Sequence, residues 1–126
     1  MTGRVGVVAA AAAAAMVVFA GNLRAGEGLY EFEAVPSDES NSFYRLNTAT
    51  GEINYCYWIK IEGKDLGQSV CDPAGENAGP QRPGVYGLLR TNYKTEVGIF
   101  RVDKLAGKIW QCFPSNNKTV CSPPPP

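Results

Sequence analysis

Histidine is absent from all 126 residues. Ser-His-Asp and Cys-His catalysis and most zinc enzyme sites are thereby excluded, because each needs an imidazole as base or ligand. Net charge is absent as well, with 12 basic side chains balancing 12 acidic ones. A neutral chain projects no long-range field towards nucleic acid or an anionic membrane. No two cysteines stand at the C-x-x-C spacing of a redox motif or zinc knuckle. Beyond residue 20 no stretch shows a helical period, and 12 of the 14 glycines and all 9 prolines lie there and break the chain into short pieces. That pattern predicts strands and turns.

The one long apolar run is residues 5–20, preceded by Arg4 and followed by polar Gly21 and Asn22. A basic start, an apolar centre and small residues at Val18-Phe19-Ala20 predict a secretory signal helix cleaved after Ala20. The alternative is an uncleaved anchor, for which 16 weakly apolar residues are short of the ~20 that a spanning helix needs. Cleavage removes Arg4 alone among the charged groups and leaves 11 basic against 12 acidic side chains. Four cysteines, an even number, fit export to an oxidising periplasmic or extracellular space.

The chain writes one stretch twice. Phe43-Tyr44-Arg45-Leu46-Asn47 leads through Gly51 to Ile53 and Cys56; Ile99-Phe100-Arg101-Val102-Asp103 leads through Gly107 to Ile109 and Cys112. The offset is 56 throughout, and Gly28/Gly84 and Tyr30/Tyr86 keep it upstream. Asn47 or Asp103 opens each turn with a short side chain that accepts backbone N–H bonds, and a glycine closes it where φ is positive. A type I turn with a glycine bulge is predicted in both copies. The polar pairs Asp38-Glu39 and Asn47/Asp103 read as a solvated loop and as turn initiators, so no metal site is assigned. Asn117-Lys118-Thr119 matches a glycosylation acceptor, a chance match behind a bacterial-looking signal.

The expected fold is all-β: two tandem antiparallel β-meanders, propeller-blade-like or forming a small sandwich or barrel, stapled by disulfides. The boundaries are 1–20 signal segment, 21–27 lead-in, 28–72 first repeat, 73–83 linker, 84–122 second repeat and 123–126 proline tail. If Cys56 and Cys71 are cross-strand neighbours, their hairpin centres between Gly63 and Lys64. If Cys112 and Cys121 are, theirs centres between Asn116 and Asn117, residues that tolerate positive φ. These pairings are favoured over Cys56–Cys112 with Cys71–Cys121. Ideal two-residue turns would put the two bridges on different ladder types, so a bulge or wider loop is expected around residues 64–67. The repeats are expected to pack by the faces bearing Tyr44, Leu46, Ile53, Tyr55 and Phe100, Val102, Ile109, Phe113.

Asn47 to Glu52, followed by an aromatic-rich strand, resembles the D-x-x-T-G-K turn of pyrroloquinoline-quinone-type β-propeller repeats, as found in small exported bacterial proteins. The second copy keeps Asp103, Gly107, Lys108 and Trp110, with Ala106 in the threonine position. The resemblance covers six to nine residues per copy. It implies a blade-like meander and carries over no quinone site, so no cofactor is expected. Two blades do not close a propeller, which needs at least about four.

The candidate binding patch is Arg45 with Trp58 and Arg101 with Trp110: either two arginine stems packed on rings, or a twofold-related aromatic and basic surface for an acidic partner or glycan. The expected function is an exported, non-catalytic binding or structural module of the bacterial envelope, its partner an envelope protein or glycan. The alternative is a protein inhibitor of an envelope-acting enzyme such as lysozyme, inserting loop 72–84 or 36–42. No nucleic acid is expected as partner, and membrane only through an uncleaved segment 5–20. A homodimer through exposed sheet edges is the expected mode of any self-association.

Overall fold

A computed structural model of the chain describes residues 28–123. The signal segment and lead-in and the last three prolines lie outside the described residues. Eight strands follow one another: β1 (Tyr30–Ala34), β2 (Phe43–Asn47), β3 (Ile53–Lys60), β4 (Gly67–Cys71), β5 (Tyr86–Leu89), β6 (Ile99–Asp103), β7 (Lys108–Ser115) and β8 (Lys118–Cys121). They form two four-stranded antiparallel sheets, β1-β2-β3-β4 and β5-β6-β7-β8. Each sheet is a plain meander.

The repeat is kept at the level of register. Tyr30 faces Asn47 as Tyr86 faces Asp103, and Phe43 faces Cys56 as Ile99 faces Cys112. The turns explain why. Asn47 Oδ1 accepts the amides of Ala49 and Thr50, and Asp103 Oδ1 those of Leu105 and Ala106. Gly51 and Gly107 then close their turns with φ of 77° and 71°. The same side-chain chemistry at the same spacing sets the same pairing.

Cys56 bonds Cys71 and Cys112 bonds Cys121, the pairing predicted from the hairpin centres. Both bridges have Cα atoms 4.0 Å apart, the close approach of a non-hydrogen-bonded pair. The first hairpin reaches this by widening. Ile61 N–H bonds the Leu66 carbonyl, and residues 62–65 form the loop, with Gly63 at φ 75°. The widening is therefore centred on the turn and begins two residues before the expected 64–67. The second hairpin turns tightly through Asn116 and Asn117 at φ 50° and 60°, a type I′ turn.

The packing corrects one expectation. Tyr44, Leu46 and Ile53 are fully buried, as expected of the first repeat. In the second repeat the buried side chains are Tyr86, Ile99, Arg101, Trp110, Cys112, Thr119 and Cys121. Phe100 and Val102 are only half-buried, and Ile109 and Phe113 are exposed. Side chains alternate across a strand, so the second sheet presents to the first the opposite face from the one predicted. Two repeats with one register thus bury opposite sides.

Residues 72–84 fill the seam. Thr119 of β8 exchanges backbone bonds with Pro73 and Gly75, its Oγ1 accepts the Tyr55 amide, and the Ala78 carbonyl accepts the Ile53 amide. Ala78 is fully buried. This stretch, one of the two weighed as an inhibitory loop, is thus anchored to both sheets, with Glu76, Asn77, Pro80, Arg82 and Pro83 exposed.

Each bridge closes a short loop, with sequence separations of 15 and 9. The chain-entropy model assigns each about 2–3 kcal/mol. Cys112→Ser, Cys121→Ser and the double substitution should therefore lose closely similar stability in urea unfolding, because either change breaks the same bond. A double variant markedly weaker than both singles would contradict the pairing.

Candidate functional site

The four candidate residues do not form one patch. Arg101 lies opposite Trp110 across β6 and β7, on the buried face, and its guanidinium sits 4.5 Å from the Trp110 ring centre. Arg101 has no exposed surface, and Trp110 is 5% exposed. Nη1 donates to the Gly51 carbonyl at 2.7 Å and Nη2 to the Asn77 carbonyl at 2.9 Å. One arginine of the second repeat thus ties the turn of the first repeat to the linker. Among the described residues its Nε has no hydrogen-bond partner.

Burial pushes the Arg101 guanidinium down to about 10, which leaves it cationic at neutral pH. Among the described residues no carboxylate pairs with it. Two carbonyl dipoles and the negative face of an indole carry out the solvation that water would otherwise supply. The guanidinium is closed off from solvent, and the Trp110 edge lies at a cleft lined by Asn77, Tyr86 and Asp103.

Arg45, at the equivalent position, has another environment. Its cross-strand partner is Asn54, whose Oδ1 accepts from Nη2 at 3.2 Å. The guanidinium stands 5.6 Å from the Tyr30 ring centre, so Tyr30 takes the place expected of Trp58. Trp58 lies further along β3, opposite Ser69, with its ring directly over Gly67, where any Cβ would collide with the indole. Trp58 is 56% exposed.

Arg45 and Trp58 nevertheless share the outer face of the first sheet. Tyr30, Phe32 and Phe43 extend that face as a row, with ring centres 6.5 and 6.3 Å apart. Sequence reasoning did not assign these rings to a site. The register does place them beside Arg45, since Phe32 faces Arg45 directly.

The remaining polar groups serve the fold. The Asn117-Lys118-Thr119 acceptor has its threonine fully buried and hydrogen-bonded to Tyr55 N–H. Asp38 lines a polar cleft between loops 36–42 and 90–98 with Arg90 and Lys94, and its amide donates to the Lys94 carbonyl. Among the described residues no three His, Cys, Asp or Glu side chains gather into a metal-binding group. Tyr57 donates to Asp72 at 3.1 Å, and this bond holds its phenol above the ordinary range.

No protein-family model, no curated protein and no solved structure matches this chain.

Two predictions follow from the arginine pair and the buried phenol. Arg101→Met leaves the Gly51 and Asn77 carbonyls without their donor and should cost roughly 2–4 kcal/mol in urea unfolding, against at most about 1 kcal/mol for Arg45→Met. Equal losses would contradict the inequivalence of the two arginines. Tyr44 donates to the Val97 carbonyl at 2.6 Å, and burial raises its phenol well above the ordinary range. A raised folded-state value stabilises the fold in full below the unfolded value near 10 and is lost progressively above it. Unfolding midpoints should hold from neutral pH to about 9 and fall beyond about 10, more shallowly in Tyr44→Phe.

Proposed function

We propose that this chain is an exported, non-catalytic binding module of the bacterial envelope, built from two propeller-blade-like repeats, and that its partner is an envelope protein or glycan. The two disulfides fit an oxidising periplasmic or extracellular environment. The observation that carries the reading is the solvent-facing row Tyr30, Phe32 and Phe43 beside Arg45, with Trp58 on the same face. Exposed contiguous aromatic surface is costly in water and marks an interaction site, and aromatic and arginine side chains dominate binding energies.

A chain of residues 21–126 immobilised on resin should retain a discrete partner from envelope extract. Arg45→Ala with Trp58→Ala should weaken that capture about tenfold or more, the loss expected of one interface anchor. Capture unchanged by the double substitution would place binding elsewhere and overturn the reading.

A further inference from the structure

The contact between the two repeats is head-to-tail. If they were packed by a twofold axis, equivalent residues would meet equivalent residues. Here Tyr44, Leu46 and Ile53 of the first repeat share one buried cluster with Ile99 and Trp110 of the second, Arg101 reaches the Gly51 carbonyl, and the registers show that these sets lie on opposite faces of equivalent sheets. Such a contact leaves one unused half at each end.

The unused halves carry the chemistry of the used ones. On the outer face of the second sheet, Phe100, Val102 and Ile109 stand where Tyr44, Leu46 and Ile53 stand in the first. On the outer face of the first sheet, Tyr30, Phe43 and Arg45 stand where Tyr86, Ile99 and Arg101 stand in the second. Asn54 stands in the first sheet where Trp110 stands in the second, and the solvent contact of the matched residues differs: Tyr30 is 56% exposed against 3% for Tyr86, and Ile109 51% against none for Ile53. The turns differ likewise. Gly51 is buried, and a Cβ there would lie 2.9 Å from the Tyr86 ring, whereas Gly107 is exposed with nothing within 4 Å of the same point.

We propose that a second copy of this chain docks the outer face of its first sheet onto the outer face of the second sheet, repeating between chains the contact made within the chain. Tyr30 of the incoming copy then packs on the Gly107 turn, and Arg45 reaches the Gly107 carbonyl, as Tyr86 and Arg101 do at Gly51. The inference rests on reading the outer faces as binding surfaces. The occupant is a copy because the chain already contains, folded against itself, each half's complement. Linker residues Asn77 and Ala78 contribute only to the internal contact, so association between copies is the weaker of the two and depends on concentration. A head-to-tail contact closes into a ring or runs on as a filament. Rings of about four to eight blades, at two blades per chain, contain two to four copies.

The processed chain should show a mass of two to four copies by light scattering as concentration rises from micromolar towards millimolar. Phe32→Glu and Ile109→Glu lie on opposite outer faces, both more than half exposed, so neither disturbs the core. Each alone should be monomeric, with unchanged urea unfolding. Mixed, they should form a one-to-one pair that grows no further, because one intact half remains on each. A twofold contact through a single face would leave one variant assembling normally and overturn the proposal, as would a wild-type monomer at every concentration. Open filaments would overturn the ring. A monomer that still captures an envelope partner through Arg45 and Trp58 would sink this inference and leave the binding function standing.

Discussion

A guanidinium with no exposed surface needs a substitute for water, and the seam of this protein is arranged to provide one. Arg101 is satisfied by a turn carbonyl of the first repeat, a linker carbonyl and the face of Trp110. None of the three suffices alone, and the two carbonyls come from segments distant in sequence. The charge therefore stabilises only one arrangement of the two sheets. Sliding or flipping either sheet strands it in an apolar seam, at a cost of several kcal/mol. Specific hydrogen bonds accompany it. The Tyr44 hydroxyl reaches across to Val97, and Tyr55 N–H reaches Thr119, so the polar groups of one repeat are completed by the other.

The consequence is a small core made by unlike faces. Leu46, Ile53 and Ile99 are fully buried, each contributing about 1.5–3 kcal/mol of transfer free energy. A chain with so few such residues gains materially from two bridges on short hairpins. The Cys112–Cys121 bridge lies within the inner face of the second sheet, whereas Cys56–Cys71 lies on the outer face of the first. One repeated device thus serves the core in one copy and stiffens the outer face of the sheet in the other.

Divergence between the copies follows the same division. Where Arg101 faces Trp110, Arg45 faces Asn54 and leans on Tyr30. The first hairpin is wider and carries exposed Trp58, Ile59 and Leu66, whereas the second turns tightly on two asparagines. Seam positions carry buried, hydrogen-bonded groups, and open positions carry exposed rings.

Much of the architecture was legible in the residues because it is local. Asn47/Gly51 and Asp103/Gly107 determine their turns through side-chain acceptors and positive φ, and Asn116-Asn117 determines a type I′ hairpin. Those turns set the registers, and the registers bring each pair of cysteines together. Even the need to widen the first hairpin could be derived, since both bridges must occupy the same ladder type, although its position at 62–65 could not. Which face each repeat buries was decided only by tertiary structure. Both faces of the second meander are apolar enough to be buried: Phe100, Val102 and Ile109 on one, Ile99, Trp110 and Cys112 on the other. Alternation alone cannot choose between them. The choice was made by the distant carbonyls of Gly51 and Asn77, which a chain written in one dimension does not place beside Arg101.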